Sequence, residues 1–238
     1  MRRILITGAS SGVGEALAIK LASAGGVGLH LTGRNATNLQ SVADRCRSDD
    51  VHVSTSVCDV AVEADVQRMW DEYQQVHGEG VDVVVANAGV NRPGDLETNT
   101  LCDFHTVLGT NVLGVFLTLR ATIPSMKKQR AGQIMVTNSV RGLKGGAGSG
   151  LYSASKFAVR GMMQSVRAEC SPFGIKVGSI YPGGIDTQWW QDVGRGGRQP
   201  GTLDTSRFFT ADDVAGEMLG MIDQGPESDI EEVVMRNI

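Results

Sequence analysis

The chain has 238 residues, 41% of them hydrophobic and 20% charged, with a formal net charge of −4. These values fit a folded domain of ordinary composition and speak against a nucleic-acid or acidic-membrane surface, which needs a basic patch. Four cysteines, Cys46, Cys58, Cys102 and Cys170, are scattered with no Cys-x-x-Cys pair. Disulfides, a metal and redox thiols are therefore not expected, and a reducing, cytoplasmic setting is. The start, MRRILITGAS, lacks the apolar length of a signal peptide, and no segment reads as long and apolar enough to span a membrane.

Short apolar runs recur along the chain: RILIT (3–7), VGLHLT (27–32), VHVSTSV (51–57), VDVVVA (81–86), QIMVTN (133–138), IKVGSIY (175–181) and DIEEVVM (229–235). Several are nearly continuous and β-branched, as expected of strands covered on both faces. Helical periodicity fills the intervals at 14–24, 64–76, about 101–128 and 153–170. Strand and helix alternating in this way predict βαβ units and one α/β domain over 1–238, built on a doubly wound parallel sheet of about seven strands. The irregular stretch 188–207, rich in Gly and Arg and carrying Trp189 and Trp190, is expected to be a substrate loop or lid inserted before the last helix.

After the first strand comes TGASSGVGEA (7–16), with Gly8, Gly12 and Gly14 in a turn that opens a helix. Such a turn is an anion site, because the backbone N–H groups at a helix N-terminus point outward and the dipole favours negative charge. The spacing, G-x-x-x-G-x-G, differs from the usual dinucleotide fingerprint, and the G-K-[ST] ending of a triphosphate-binding loop is missing. Kinase or ATPase chemistry is thereby disfavoured.

In YSASK (152–156), Tyr152 and Lys156 stand four residues apart on one helical face. A tyrosine is a poor acid–base group near neutrality, and a nearby ammonium is expected to favour its phenolate. A tuned pair can give a proton to a ketone or take one from an alcohol. Ser139 ends the strand QIMVTN, where residues of a parallel sheet face the ligand crevice, and its hydroxyl can bond a carbonyl oxygen.

With these motifs the whole chain resembles a short-chain dehydrogenase/reductase of the single-domain, Rossmann-type kind. The matching segments are TGASSGVG (7–14), Asp59 in VCDV, NAG (87–89), Asn111 in GTNVLG, Ser139, YSASK (152–156) and PGGIDT (182–187). The resemblance implies an oxidoreductase that interconverts a ketone or aldehyde and a secondary alcohol with a nicotinamide cofactor. Tyr152 would be the acid–base, Lys156 would hold the nicotinamide ribose and tune Tyr152, and Ser139 would orient the carbonyl. Asn111 would sit at a helix distortion and anchor a water in the relay to Lys156. The cofactor would meet Gly8, Ser10, Ser11, Gly12, Val13 and Gly14 at the turn, Asp59 and Val60 at the adenine, and Asn87, Ala88 and Gly89 at the ribose. Pro182, Gly183, Ile185 and Thr187 would embrace the nicotinamide amide. The turn AGGVGLHL is one residue longer than usual.

The second strand runs out into Gly33-Arg34-Asn35 with no carboxylate to bond a ribose hydroxyl. Gly33 leaves room for a 2′-phosphate and Arg34 can pair with it, so NADP(H) is expected over NAD(H). The second basic residue usual in the glycine turn is replaced by Ser10 and Ser11. Arg141 and Lys144, just past Ser139, raise the question of an anionic substrate. The resemblance further implies a small-molecule substrate and a homodimer or homotetramer paired through the long helices 101–128 and 153–170. The alternatives are a catalytically silent dinucleotide sensor or scaffold, and a non-redox epimerase or lyase on the same fold.

Overall fold

The computed structural model describes residues 1–187 and 204–238. Residues 188–203, the larger part of the expected lid and both of its tryptophans, lie outside them. Seven parallel strands form one sheet: β1 (Arg2–Thr7), β2 (Val27–Gly33), β3 (His52–Val57), β4 (Val83–Ala86), β5 (Gly132–Thr137), β6 (Ile175–Tyr181) and β9 (Glu232–Val234). Their order is β3-β2-β1-β4-β5-β6-β9. The β-branched runs become strands because both sheet faces are covered. Ile4 and Ile6 pack under α1 (Gly12–Ala24), α2 (Ala36–Cys46) and α7 (Ala211–Ile222). Leu5, between them, points to the opposite layer of α3 (Glu63–His77), α5 (Gly114–Gln129) and α6 (Gly150–Cys170). A separate pair, β7 (Ile185–Asp186) and β8 (Phe209–Thr210), brings the chain after β6 together with the entry to α7.

The order reverses at β1. From there the chain winds outward through β2 and β3, then returns to place β4 on the other side of β1. Loops leaving the carboxyl ends of β1 and β4 part in opposite directions, and a crevice opens between them. The α1–β2 turn is two residues, Gly25 and Gly26, both at positive φ (76° and 64°), a conformation that glycine adopts without strain.

Between α4 (Leu101–Leu108) and α5 the helix widens into one π turn, Gly109–Leu113. The whole rod Leu101–Gln129 has a mean hydropathy of 1.4 over its most apolar stretch and is long enough to cross a membrane by composition. This corrects the expectation that no such segment exists. Its apolarity has another use in the fold: half of that stretch is buried, with Val115, Leu117, Leu119 and Met126 packed into the second core layer.

Candidate functional site

A cleft of about 830 Å³ opens at the carboxyl ends of the strands. Its floor is the turn from β1 into α1. Gly8 and Gly12 lie at φ 67° and 59°, and a Cβ on Gly8 would come 2.8 Å from the Ala88 Cα. Gly14 does not line the cleft; a side chain there would collide with the Gly8 carbonyl and the Asn87 amide, so its absence lets α1 pack against β4. Ser11, the N-cap of α1, makes no side-chain cap. The first-turn N–H groups are therefore left for another partner, which suits a pyrophosphate.

The strand ends are strapped together. Asn87 Nδ2 donates to the Thr7 and Gly8 carbonyls at 3.1 and 3.2 Å, and Thr137 Oγ1 donates to Asn87 Oδ1 at 3.0 Å. Lys156 Nζ donates to the Thr137 carbonyl at 2.8 Å, and Asn138 Nδ2 returns a bond to the Lys156 carbonyl at 3.2 Å. Val140 N then donates to the Pro182 carbonyl at 3.1 Å. Residues from the ends of β1, β4, β5 and β6 thus hold one another in place.

Tyr152 and Lys156 project from the first and second turns of α6, and the Lys156 Nζ lies 5.6 Å from the Tyr152 ring centre. Lys156 is 4% exposed, and burial lowers its pKa to about 8. Burial also holds the Tyr152 hydroxyl above its ordinary pKa, opposed by a hydrogen bond with Ser139 and by the Arg141 charge. The expected depression by Lys156 does not dominate. The ammonium is itself desolvated and is turned to a backbone carbonyl. Ser139 is 7% exposed, and its Oγ accepts from Arg141 N at 3.2 Å.

Asn111 stands inside the π turn, at the helix distortion expected of it, but behind the cleft wall. Its carboxamide accepts from Val90 N and donates to the Val90 carbonyl, both at 2.8 Å, and donates to Ser155 Oγ at 2.9 Å. Every side-chain bond it makes is therefore structural. The remaining expected residues, from Ser10 through Thr187, all line the one cleft. Arg34 is half-exposed at the rim, with Nη1 3.8 Å from Asp59 Oδ2. Ser10 Oγ fills the space beside Gly33, 2.8 Å from where a Cβ would stand, so the room left by the glycine is shared with a hydroxyl.

Sequence reasoning missed Thr7, Thr137 and Asn138, the residues that tie the strap. It also missed Phe208, Arg236 and Asn237, which reach the cleft from just before β8 and from the C-terminal segment. Position at a strand end was a usable signal for the first three. Nothing local marks the others, which arrive through tertiary packing.

Seven parallel strands, a glycine turn at the switch point and a Tyr–Lys pair on the facing helix define a dinucleotide-type α/β protein. Residues 2–196 match the family model described as short chain dehydrogenase, and the chain belongs to that family of oxidoreductases. It is 32% identical over 196 residues to the sepiapterin reductase of Chlorobaculum tepidum, 80% of each chain. An alcohol dehydrogenase from the archaeon Thermococcus sibiricus, complexed with 5-hydroxy-NADP, superposes with a TM-score of 0.90 at 30% identity, covering 100% of this chain and 97% of that one. An NAD+-bound xylitol dehydrogenase gives 0.86 at 25% identity, covering 98% and 96%. The fold is thus one that binds nicotinamide dinucleotides.

Proposed function

We propose that the protein interconverts a ketone or aldehyde and the corresponding alcohol, with NADP(H) preferred over NAD(H). The carrying observation is that Ser139, Tyr152 and Lys156 line the same cleft as the glycine turn. A bound nicotinamide would supply or accept the hydride. The Tyr152 hydroxyl gives its proton to the carbonyl oxygen in reduction and recovers it in oxidation. Its raised pKa keeps it protonated and ready to donate. The Ser139 hydroxyl orients that oxygen and bonds it as charge develops. Lys156, cationic below about pH 8, stabilises the phenolate left behind and meets the nicotinamide ribose. Asn111 positions this machinery, holding the segment after β4 against α6 through Val90 and Ser155.

NADP(H) preference is supported by Gly33 and Arg34 at the end of β2, with Ser10 beside them. Asp59 opposes it, since a 2′-phosphate must compete for Arg34. The archaeal alcohol dehydrogenase with its NADP derivative and the NAD+-bound xylitol dehydrogenase stand on opposite sides of this choice. A small-molecule substrate in a cytoplasmic homo-oligomer completes the reading. Exposed Leu101, Phe104, Phe116 and Phe157 on α4, α5 and α6 offer apolar surface for self-association, and a monomer by light scattering would remove that part.

The test follows nicotinamide absorbance with a panel of ketones, aldehydes and alcohols, in wild type and Tyr152→Phe. Loss of the hydroxyl should cost about 10²–10⁴-fold in turnover while dinucleotide binding survives. Near wild-type turnover in the variant would remove Tyr152 as the acid–base. Tight dinucleotide binding with no turnover on any substrate would favour a sensor or scaffold.

A further inference from the structure

We propose that the substrate is an anionic carbonyl compound, a ketone bearing a carboxylate, and that the Arg141 guanidinium receives the carboxylate. This rests on the oxidoreductase reading and adds the substrate class to it. The charged side chains along the cleft are unevenly distributed. Arg34 and Asp59 face each other at 3.8 Å at the β2 end. Around Ser139 and Tyr152 the charged lining residues are Arg141, Lys144, Lys156 and Arg236, with no carboxylate beside them among the described residues. A cofactor pyrophosphate would bind at the opposite wall, against α1. It leaves these cations for another partner.

Arg141 is the one best placed. It is half-buried, while Lys144 and Arg236 are exposed. It follows Ser139 by two residues, in the 3₁₀ turn Val140–Gly142, and its own N–H is anchored on Ser139 Oγ. Its guanidinium lies against Gly146, where any side chain would collide with it. That glycine admits the guanidinium to the loop. Among the described residues the side chain has neither an ion pair nor a hydrogen bond. The guanidinium carries five N–H donors in a fixed fork and lines the cleft, so they are open to the oxygens of a bound ligand. The charge also reaches the reacting end of the cleft, for it pulls down the pKa of Tyr152. A planar guanidinium fork matches the two oxygens of a carboxylate, and such charge-assisted bonds are worth roughly ten- to a hundredfold in affinity.

A phosphate shares this oxyanion chemistry, so the test carries both. Initial rates with the dinucleotide are measured for levulinate against methyl levulinate, acetoacetate against methyl acetoacetate, and dihydroxyacetone phosphate against dihydroxyacetone, in wild type, Arg141→Gln and Arg141→Lys. Wild type should favour the anion of a matched pair by about tenfold or more in kcat/KM. Arg141→Gln should erase that preference and Arg141→Lys should keep part of it, with the loss falling on KM. Preference confined to the phosphate arm would keep the anion site and replace carboxylate by phosphate. Equal efficiency on the anion and its neutral partner in every matched pair in wild type, or an equal loss on both in Arg141→Gln, would overturn the proposal. Calorimetric titration of levulinate into the protein with dinucleotide separates this from the parent reading. Tighter binding to wild type than to Arg141→Gln without turnover sinks the oxidoreductase reading alone, and equal binding sinks the anion site.

Discussion

Acidification should destabilise this protein well before its carboxylates titrate, because of two histidines remote from the cleft. Ser56 Oγ donates to the Glu72 carboxylate, so it must accept from His30 Nε2–H, 2.9 Å away. His30 Nδ1 is then an acceptor and takes the Ser54 hydroxyl proton at 2.8 Å. Ser54 Oγ in turn accepts from His77 Nε2–H at 2.7 Å. The bonds run one way, from His77 to Glu72, and both rings are neutral within them. Tyr73 stacks on His77 with centroids 5.0 Å apart, and the His77 Nδ1 edge abuts Gly28. Burial, reinforced by His77, lowers His30 from 6.5 to about 3. Burial, with His52 and Arg3, lowers His77 to about 4. A lowered folded-state pKa means that the unfolded chain binds the protons. The stabilisation is complete above about pH 6.5 and is lost as pH falls toward the folded values. Each ring then forfeits about 1.4 kcal/mol per pH unit, so the two together lose about 4 kcal/mol between about pH 7 and pH 5. That is a large part of a typical 5–15 kcal/mol stability. Urea denaturation across this interval reads it directly, with a slope near two protons at its acidic end. His77→Gln, whose amide can still donate to Ser54, should halve the slope. Stability flat over the interval, or a slope unmoved by His77→Gln, would refute the reasoning.

Arg34→Ala should weaken NADP(H) binding roughly ten- to a hundredfold and hardly change NAD(H); tighter NADH than NADPH binding in wild type, by fluorescence titration, would overturn the preference. Lys156→Met should abolish turnover yet raise stability. Lowering the Lys156 pKa from 10.5 to about 8 costs about 3 kcal/mol near neutrality, partly offset by the bond to the Thr137 carbonyl. A gain of about 1–2 kcal/mol is expected after that bond is lost. Wild-type stability should rise between about pH 8 and pH 10 with no such rise in the variant, and a Met variant less stable than wild type by urea denaturation would contradict this.

The strands were legible because a sheet covered on both faces writes itself as unbroken apolar runs; Val83–Ala86 is buried at every position. Helix α2 was harder. Only Leu39, Val42, Ala43 and Cys46 of its eleven residues are buried, so a mostly polar segment carries the apolar stripe. Glycine turns and the Tyr–Lys spacing announce themselves, since each answers to local geometry. The direction of the Tyr152 pKa does not. It depends on how much water the folded cleft removes and on where the Lys156 ammonium points, and both are tertiary outcomes. The histidine chain is more hidden still. His30 sits in VGLHLT as one residue of a buried strand, and its partners come from β3 and α3.

The strap across the strand ends explains why the site combines rigid and unfilled positions. Thr7, Asn87, Thr137, Lys156 and Asn138 satisfy one another through bonds of 2.8–3.2 Å. They bring the loops after β4 and β5 and the first turns of α6 into one register before any ligand arrives. Catalytic donors held in this way need no reorganisation as charge develops, and this is where electrostatic catalysis gains most. Among the groups outside the strap are the Arg141 guanidinium and the uncapped first turn of α1. Both donate hydrogen bonds and both favour negative charge. On the function proposed above they would receive two anions, one at each wall: the dinucleotide's pyrophosphate on α1 and the substrate's own charge on Arg141. The carbonyl to be reduced would then lie between them, at Ser139 and Tyr152.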